Sequence, residues 1–379
     1  MFWQRHRLAT TDVWGAIGPL YSMSRWMGLY PWKLSTDGVP PTRPLLTPLM
    51  MTIFHAISGP AICYAVVFNS PELWVKLPYL YQIVHRAQTA STYICLGVAL
   101  TYALVKGRQV TPIYGELAAV DSSLSSLGMV FKYDLFYSLV GIPVRLLLMG
   151  IYLVIFFLTH PYRFTFSFSA RVIFFVHTLF IHFFRLHFTT IVSLLKAHFL
   201  FISDRLQSTG DSCPYLGRTW KLECLVVAHD GLCTAADRAN DLFSLQNLVW
   251  VNTVFVFLTG NCYLIADGLA SGNIVFDNLY LFDVIVLSVY WGAELWETVY
   301  EAKTAKDESR RFTKILFDLL LKDRTGELST NKILSLHVDM SKEVEFTACG
   351  FFPLDYTLFH SMIAATATYL IVLAQYSEI

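Results

Sequence analysis

The feature that most constrains this chain is a series of apolar runs, each close to the roughly 20 residues a helix needs to cross the hydrocarbon core of a bilayer. Seven such runs are bounded by charge or by Pro/Gly clusters: Leu46–Phe68, Gln88–Val105, Phe136–Leu158, Ala170–Leu200, Leu245–Gly268, Val275–Tyr300 and Phe352–Tyr376. In lipid, backbone polar groups must be satisfied within the segment itself, so runs of this length fold as helices. The expected fold class is an all-α integral membrane protein with seven transmembrane helices. Composition agrees, because only 15% of the 379 residues are charged, against roughly 25% in a soluble globular domain. The 28 Lys+Arg balance the 28 Asp+Glu, so bulk charge gives no reason to expect a nucleic-acid partner. The bilayer is the expected surrounding.

Lys and Arg collect on the cytoplasmic side of short loops. Counted in alternate segments, 21 of the 28 fall in one set: those before the first span, after the second (Lys106, Arg108, Lys132), after the fourth (Arg205, Arg218, Lys221, Arg238) and after the sixth. Lys76, Arg86 and Arg163 make up the opposite set. A cytoplasmic N-terminus and an extracellular C-terminus follow. That is the reverse of a rhodopsin-type G-protein-coupled receptor, which would otherwise be the alternative seven-helix reading; a transporter is the other. Arg5, Arg7, Arg25 and Lys33 precede the first span without a short apolar stretch and cleavage site, so that span is expected to direct insertion.

No internal repeat or low-complexity tract divides the chain. Four segments are expected: residues 1–45, a cytoplasmic N-terminal stretch; 46–300, the first six spans; 301–351, a long polar cytoplasmic segment; and 352–379, the last span with a short tail. In the third, Phe312, Ile315, Leu316, Leu319 and Leu320 form one stripe opposite Lys314, Asp318 and Lys322, with Gly326 as the stop, which predicts an amphipathic helix over Arg311–Leu321. A second short helix is expected at Thr330–Met340. Continued through Arg205, the fourth span would reach about 54 Å, beyond the bilayer core. The fifth and sixth spans have amphipathic flanks at Arg218–Phe243 and Glu294–Lys314, so a helical bundle is expected beneath the membrane.

Cys213, Cys224, His229 and Cys233 cluster after the fourth span without any CxxC pair, a pattern that reads as reduced cytosolic cysteines rather than a metal site. No GxxxxGK[ST], GxSxG, HExxH or GxGxxG pattern is present, so neither a cofactor nor a standard enzyme mechanism is expected. The fourth span carries His177, His182, Arg185 and His187 among phenylalanines. Ionisable groups in a bilayer face the bundle interior and mark sites. At about 100° per residue His177 and His182 lie some 140° apart, so they do not form a shared haem face. With Asn261, Tyr263, Asp267, Asp277, Tyr280 and Asp283 on neighbouring spans they have the composition of a pocket for a small organic molecule, or of interior hydrogen bonding without a ligand.

The last span is the most informative. Thr357, Ser361, Ala364, Thr368 and Gln375 recur at helical spacing, with Val372 completing the step, giving one narrow stripe of small or polar residues on an otherwise apolar helix. Such a stripe faces protein or water. Close packing inside a monomer and a pore lining both satisfy it, and the second requires several copies around a symmetry axis.

The same stretch, Thr368-Tyr369-Leu370-Ile371-Val372-Leu373-Ala374-Gln375-Tyr376, resembles the TYhhhhhQF signature that closes insect gustatory receptors, with Tyr376 in place of the usual Phe. The likeness extends to Phe346–Phe352 and to Ser24–Pro31. The resemblance implies a chemosensory, ligand-gated, non-selective cation channel in the plasma membrane of sensory neurons. It also implies assembly as a homotetramer, or a heteromer with related receptors, around the last helix. Gln375 and Tyr376 would then stand at the extracellular gate, with Val372 one turn below and Thr368 and Tyr369 supporting the helix. The cytoplasmic 301–351 segment would form the assembly anchor. A tastant or pheromone would enter from outside among spans two to six, where His177, His182, Arg185, Tyr263 and Tyr280 are the candidate ligand residues.

Overall fold

The computed structural model describes residues 13–29, 46–67, 79–133, 168–212, 218–271, 278–323, 326–340 and 343–377, with four isolated positions between 147 and 154. The span expected at Phe136–Leu158 lies outside the described residues apart from those positions, as does Cys213. Nine α-helices are described: α1 (Val13–Trp26), α2 (Leu46–Val67), α3 (Tyr79–Val105), α4 (Val110–Ser126), α5 (Phe168–Ser212), α6 (Arg218–Ser271), α7 (Asn278–Leu321), α8 (Lys332–Met340) and α9 (Tyr356–Ser377), with a short 3-10 turn at Gly107–Gln109 between α3 and α4.

Stretches long and apolar enough to cross a membrane lie in α3, α5, α6 and α9, and Pro48–Tyr64 in α2 supplies a shorter one. The run read at Gln88 begins earlier, at Tyr79. Polar residues obscure its first turns, among them Gln82, His85 and Arg86. α1 and α4 were not expected as helices. Each is short, and each buries an apolar face: Val13, Ile17 and Leu20 in α1, and Ile113, Leu117 and Leu124 in α4.

The long elements run unbroken from the apolar bundle into the polar one. α5 spans 45 residues, α6 54 and α7 44, so the amphipathic flanks of the fifth and sixth runs are continuations of the same helices. Ion pairs along their length tie α5 to α7, among them Arg185–Glu294 at 2.9 Å, Lys196–Glu301 at 2.7 Å and Arg311–Asp204 at 3.0 Å. Residue numbers rise together on both partners, so α5 and α7 run parallel. At the α3–α6 contact, a side chain on Gly260 would place its Cβ 2.7 Å from Val84 Cγ1. The bare glycine permits that close approach. Beside it, the Gln88 amide donates to Asn261 Oδ1 across the two helices at 2.9 Å.

The amphipathic helix expected at Arg311–Leu321 is the end of α7, with Phe312 and Leu316 fully buried and Lys322 just past its last residue. α8 is the second short helix. The residues before the last helix depart from the all-helical expectation, because Thr347–Ala348 pairs antiparallel with Phe352–Pro353 as a hairpin, β1–β2. Its turn is a pair of left-handed residues, Cys349 (φ 52°) and Gly350 (φ 71°), closed by the Phe351 amide donating to the Ala348 carbonyl at 3.0 Å. Two residues with positive φ match the right-handed twist of a hairpin.

Candidate functional site: the exposed face of the last helix and the polar interior behind it

α9 is positioned from its N-terminal end. Asn240 Oδ1 on α6 accepts the Thr347 amide at 2.8 Å, and Ser244, one turn on, accepts the Cys349 amide at 3.2 Å. The hairpin is therefore clamped to α6. Asp355 caps the helix that follows, accepting the Thr357 amide at 2.9 Å.

From there α9 presents two different faces. One rests on the chain: Leu358 and Met362 are buried, Thr366 Oγ1 lies 3.1 Å from Thr259 Oγ1 on α6, and Tyr369 meets Phe255 edge-on at 5.9 Å. Trp296 of α7 stacks on Tyr356 at 5.4 Å and meets Phe359 at 5.6 Å. The other face carries Thr357, Ser361, Ala364, Thr368, Val372 and Gln375, and every one of them is exposed. Only 11% of the apolar stretch Tyr356–Leu373 is buried in the chain, whereas the corresponding stretches of the three other long apolar helices are 50–67% buried. Among the described residues the stripe therefore does not serve packing inside this chain, which was one of the two readings its sequence left open. Ser361 and Thr368 donate their hydroxyls to the Thr357 and Ala364 carbonyls at 2.9 and 3.0 Å. Each hydroxyl oxygen keeps acceptor capacity facing outward. Gln375 lies on this face; the side chain of Tyr376 is outside the described residues.

The five candidate ligand residues fall into separate places. His177 is buried between α2 and α3, with Nε2 2.9 Å from Ser58 Oγ and Nδ1 3.4 Å from Tyr93 Oη. His182 and Arg185 point instead from α5 towards α7. Arg185 reaches Glu294 at 2.9 Å and Glu297 at 3.1 Å, and His182 Nδ1 lies 3.0 Å from Glu294. The Tyr290 hydroxyl donates to Glu294 at 2.6 Å, and the guanidinium lies over the Trp250 ring at 5.8 Å. Tyr263 belongs to a third group, edge-on to Tyr81 at 5.9 Å, whose hydroxyl donates to Asp267. Tyr280 stands in the first turn of α7, with its side chain outside the described residues. Sequence reasoning missed Glu294 and Glu297. Two carboxylates in an apolar run opposite an arginine in another run were the available signal, since charges inside a membrane protein pair with one another.

The fold and this site define a helical, membrane-spanning protein whose last helix keeps a polar stripe away from its own core. Residues 17–379 match the profile described as 7tm Chemosensory receptor, and the chain belongs to that family. It is 24% identical over 164 residues to a Drosophila melanogaster protein designated gustatory receptor 28b, and 27% identical over 217 residues to one designated gustatory receptor 39b. Those alignments cover 40% and 50% of this chain and 33% and 54% of the relatives, so less than two thirds of either relative is matched. Among solved structures, the insect olfactory receptor OR5 of Machilis hrabei superposes with a TM-score of 0.68 alone and 0.67 in complex with eugenol. Identity is 12% in both, with 95% of this chain and 97% of the other covered. At that identity the likeness shows the fold.

Proposed function

We propose that the protein is a chemosensory receptor acting as a ligand-gated cation channel, built as a tetramer in the plasma membrane with α9 lining a central pore. The observation that carries this reading is the exposed stripe Thr357–Ser361–Ala364–Thr368–Val372–Gln375 on an apolar helix that packs on its own chain by the opposite face. In lipid that stripe is unfavourable, and water or other copies of α9 remove the cost. One helix cannot enclose a path, so rotational symmetry supplies the remaining walls. Hydroxyls and carbonyls along α9 wet the path, and Val372, Gln375 and Tyr376 narrow it at the extracellular end. In this reading seven spans place the N-terminus inside and the C-terminus outside, and residues 301–351 are the cytoplasmic assembly segment.

Family membership and the eugenol-bound fold relative support a small organic molecule as the stimulus. Such a molecule opens the pore only by binding the open arrangement more tightly than the closed one. Cysteine cross-linking tests the arrangement without a known ligand. Val372→Cys in intact membranes should give oxidant-dependent linked dimers beyond the wild-type level, and Met362→Cys, on the buried face, should not. Equal linking at both positions, or none at Val372→Cys, Thr368→Cys and Gln375→Cys, would remove α9 from the axis.

A further inference from the structure

We propose that His229, Cys233 and His337 hold a zinc-class metal ion that fastens α8 to the polar end of α6, with Asp230 as the outer partner of His337. One donor atom from each of His229, Asp230 and His337 lies within 4.8 Å of the other two. His229 and Cys233 are one turn apart on α6, and the sulfur lies 3.6 Å from His229 Nδ1. This is the i, i+4 placement that puts two ligands on one helix face. His337 arrives from α8, 104 positions after Cys233 in the chain, with its ring perpendicular to that of His229 at 5.0 Å.

Three observations point to a cation rather than to packing alone. His337 is 6% exposed, yet its Nε2 has no hydrogen-bond partner, which is costly for a buried polar atom. Its Nδ1 is 3.0 Å from Asp230 Oδ1, the carboxylate–histidine pairing that fixes a ligand tautomer and leaves the other nitrogen free for a metal. On the other imidazole, His229 Nε2 lies 3.3 Å from the Ser309 carbonyl oxygen, an outer partner of the same kind. Imidazole and thiolate are donors zinc accepts, at about 2.0–2.3 Å in tetrahedral geometry with water free to complete the set, so the donors draw together when the ion binds. The four residues line one open cavity of about 420 Å³, which gives an ion an entry path.

The test uses the full-length receptor purified in detergent, stripped with chelator and dialysed against zinc chloride. Retained zinc is counted by mass spectrometry. One zinc per chain is expected, falling to background in His337→Gln and retained in the control His360→Gln, whose histidine is exposed on α9. Asp230→Asn should weaken binding by about tenfold, as loss of an outer partner does. Because replacing a buried histidine can unsettle the fold, cobalt substitution gives an independent reading. The wild-type protein should show a thiolate-to-cobalt charge-transfer band that Cys233→Ser removes. Zinc retained equally by His337→Gln, or cobalt bound without a thiolate band, would overturn the site.

Discussion

Arg185 and Glu294 meet at 2.9 Å with 7% and 8% of their side chains exposed, joining α5 to α7 inside the apolar part of the bundle. His182, Tyr290, Glu297 and Thr298 complete the group. Removing one partner of a buried pair leaves a charge without compensation and costs about 3–5 kcal/mol. Glu294→Ala should therefore lower the midpoint of thermal unfolding in detergent more than Arg185→Met combined with Glu294→Gln. The amide in the double variant still accepts from Tyr290 and leaves no unpaired guanidinium. Equal or greater loss in the double variant would show that the pair does not act as a unit.

The hairpin before α9 depends on its left-handed turn. Gly350 has φ 71° and open space around its Cα, so Gly350→Val is penalised by backbone conformation rather than by a clash, at about 1–2 kcal/mol. Asn240→Ala, which leaves the Thr347 amide without its acceptor, should cost about 1–3 kcal/mol. Thermal unfolding of each purified variant reads the effect, and a midpoint at the wild-type value in both would mean that the clamp contributes nothing to placing α9.

Close packing of α3 on α6 calls for a glycine at position 260. Gly260→Val must displace Val84 and Gln88, and overpacking of this kind costs about 1–3 kcal/mol. Gly268→Val, where nothing lies near the Cα, is the matched control. The unfolding midpoint of the first variant should fall below that of the second.

Pore residues should alter permeation without altering stability. Gln375→Ala and Val372→Ala lie on the exposed face of α9, where surface substitutions are usually within about 0.5 kcal/mol. Whole-cell currents recorded during application of sugars, bitter alkaloids and fatty-acid-derived compounds should show changed relative permeability or conductance in both. Met362→Ala, buried on the other face, should lower stability and leave selectivity unchanged. Wild-type permeation in both stripe variants would contradict the lining assignment.

How much of this was legible depended on whether the signal was local. The spans at Leu46, Ala170 and Leu245 announce themselves by continuous hydropathy, and the stripe on α9 by its own helical period. α1 and α4 are too short and too mixed to stand out, and their helical character is stabilised by burying Ile17 and Ile113 against distant segments. The partners of Arg185 could not be read from its own helix, because Glu294 lies 109 positions away. His337 was invisible as a companion of His229 for the same reason: only the return of α8 onto α6 brings them together. The hairpin at Cys349–Gly350 was hidden because two-residue strands carry no periodicity.

If α9 faces copies of itself, the detergent-solubilised particle must hold several chains, and its mass with bound detergent subtracted reads their number. A tetramer gives a protein mass near four times the 43.1 kDa of one chain. A stable, folded monomer near 43.1 kDa under conditions that preserve the wild-type unfolding midpoint would contradict a homomeric pore.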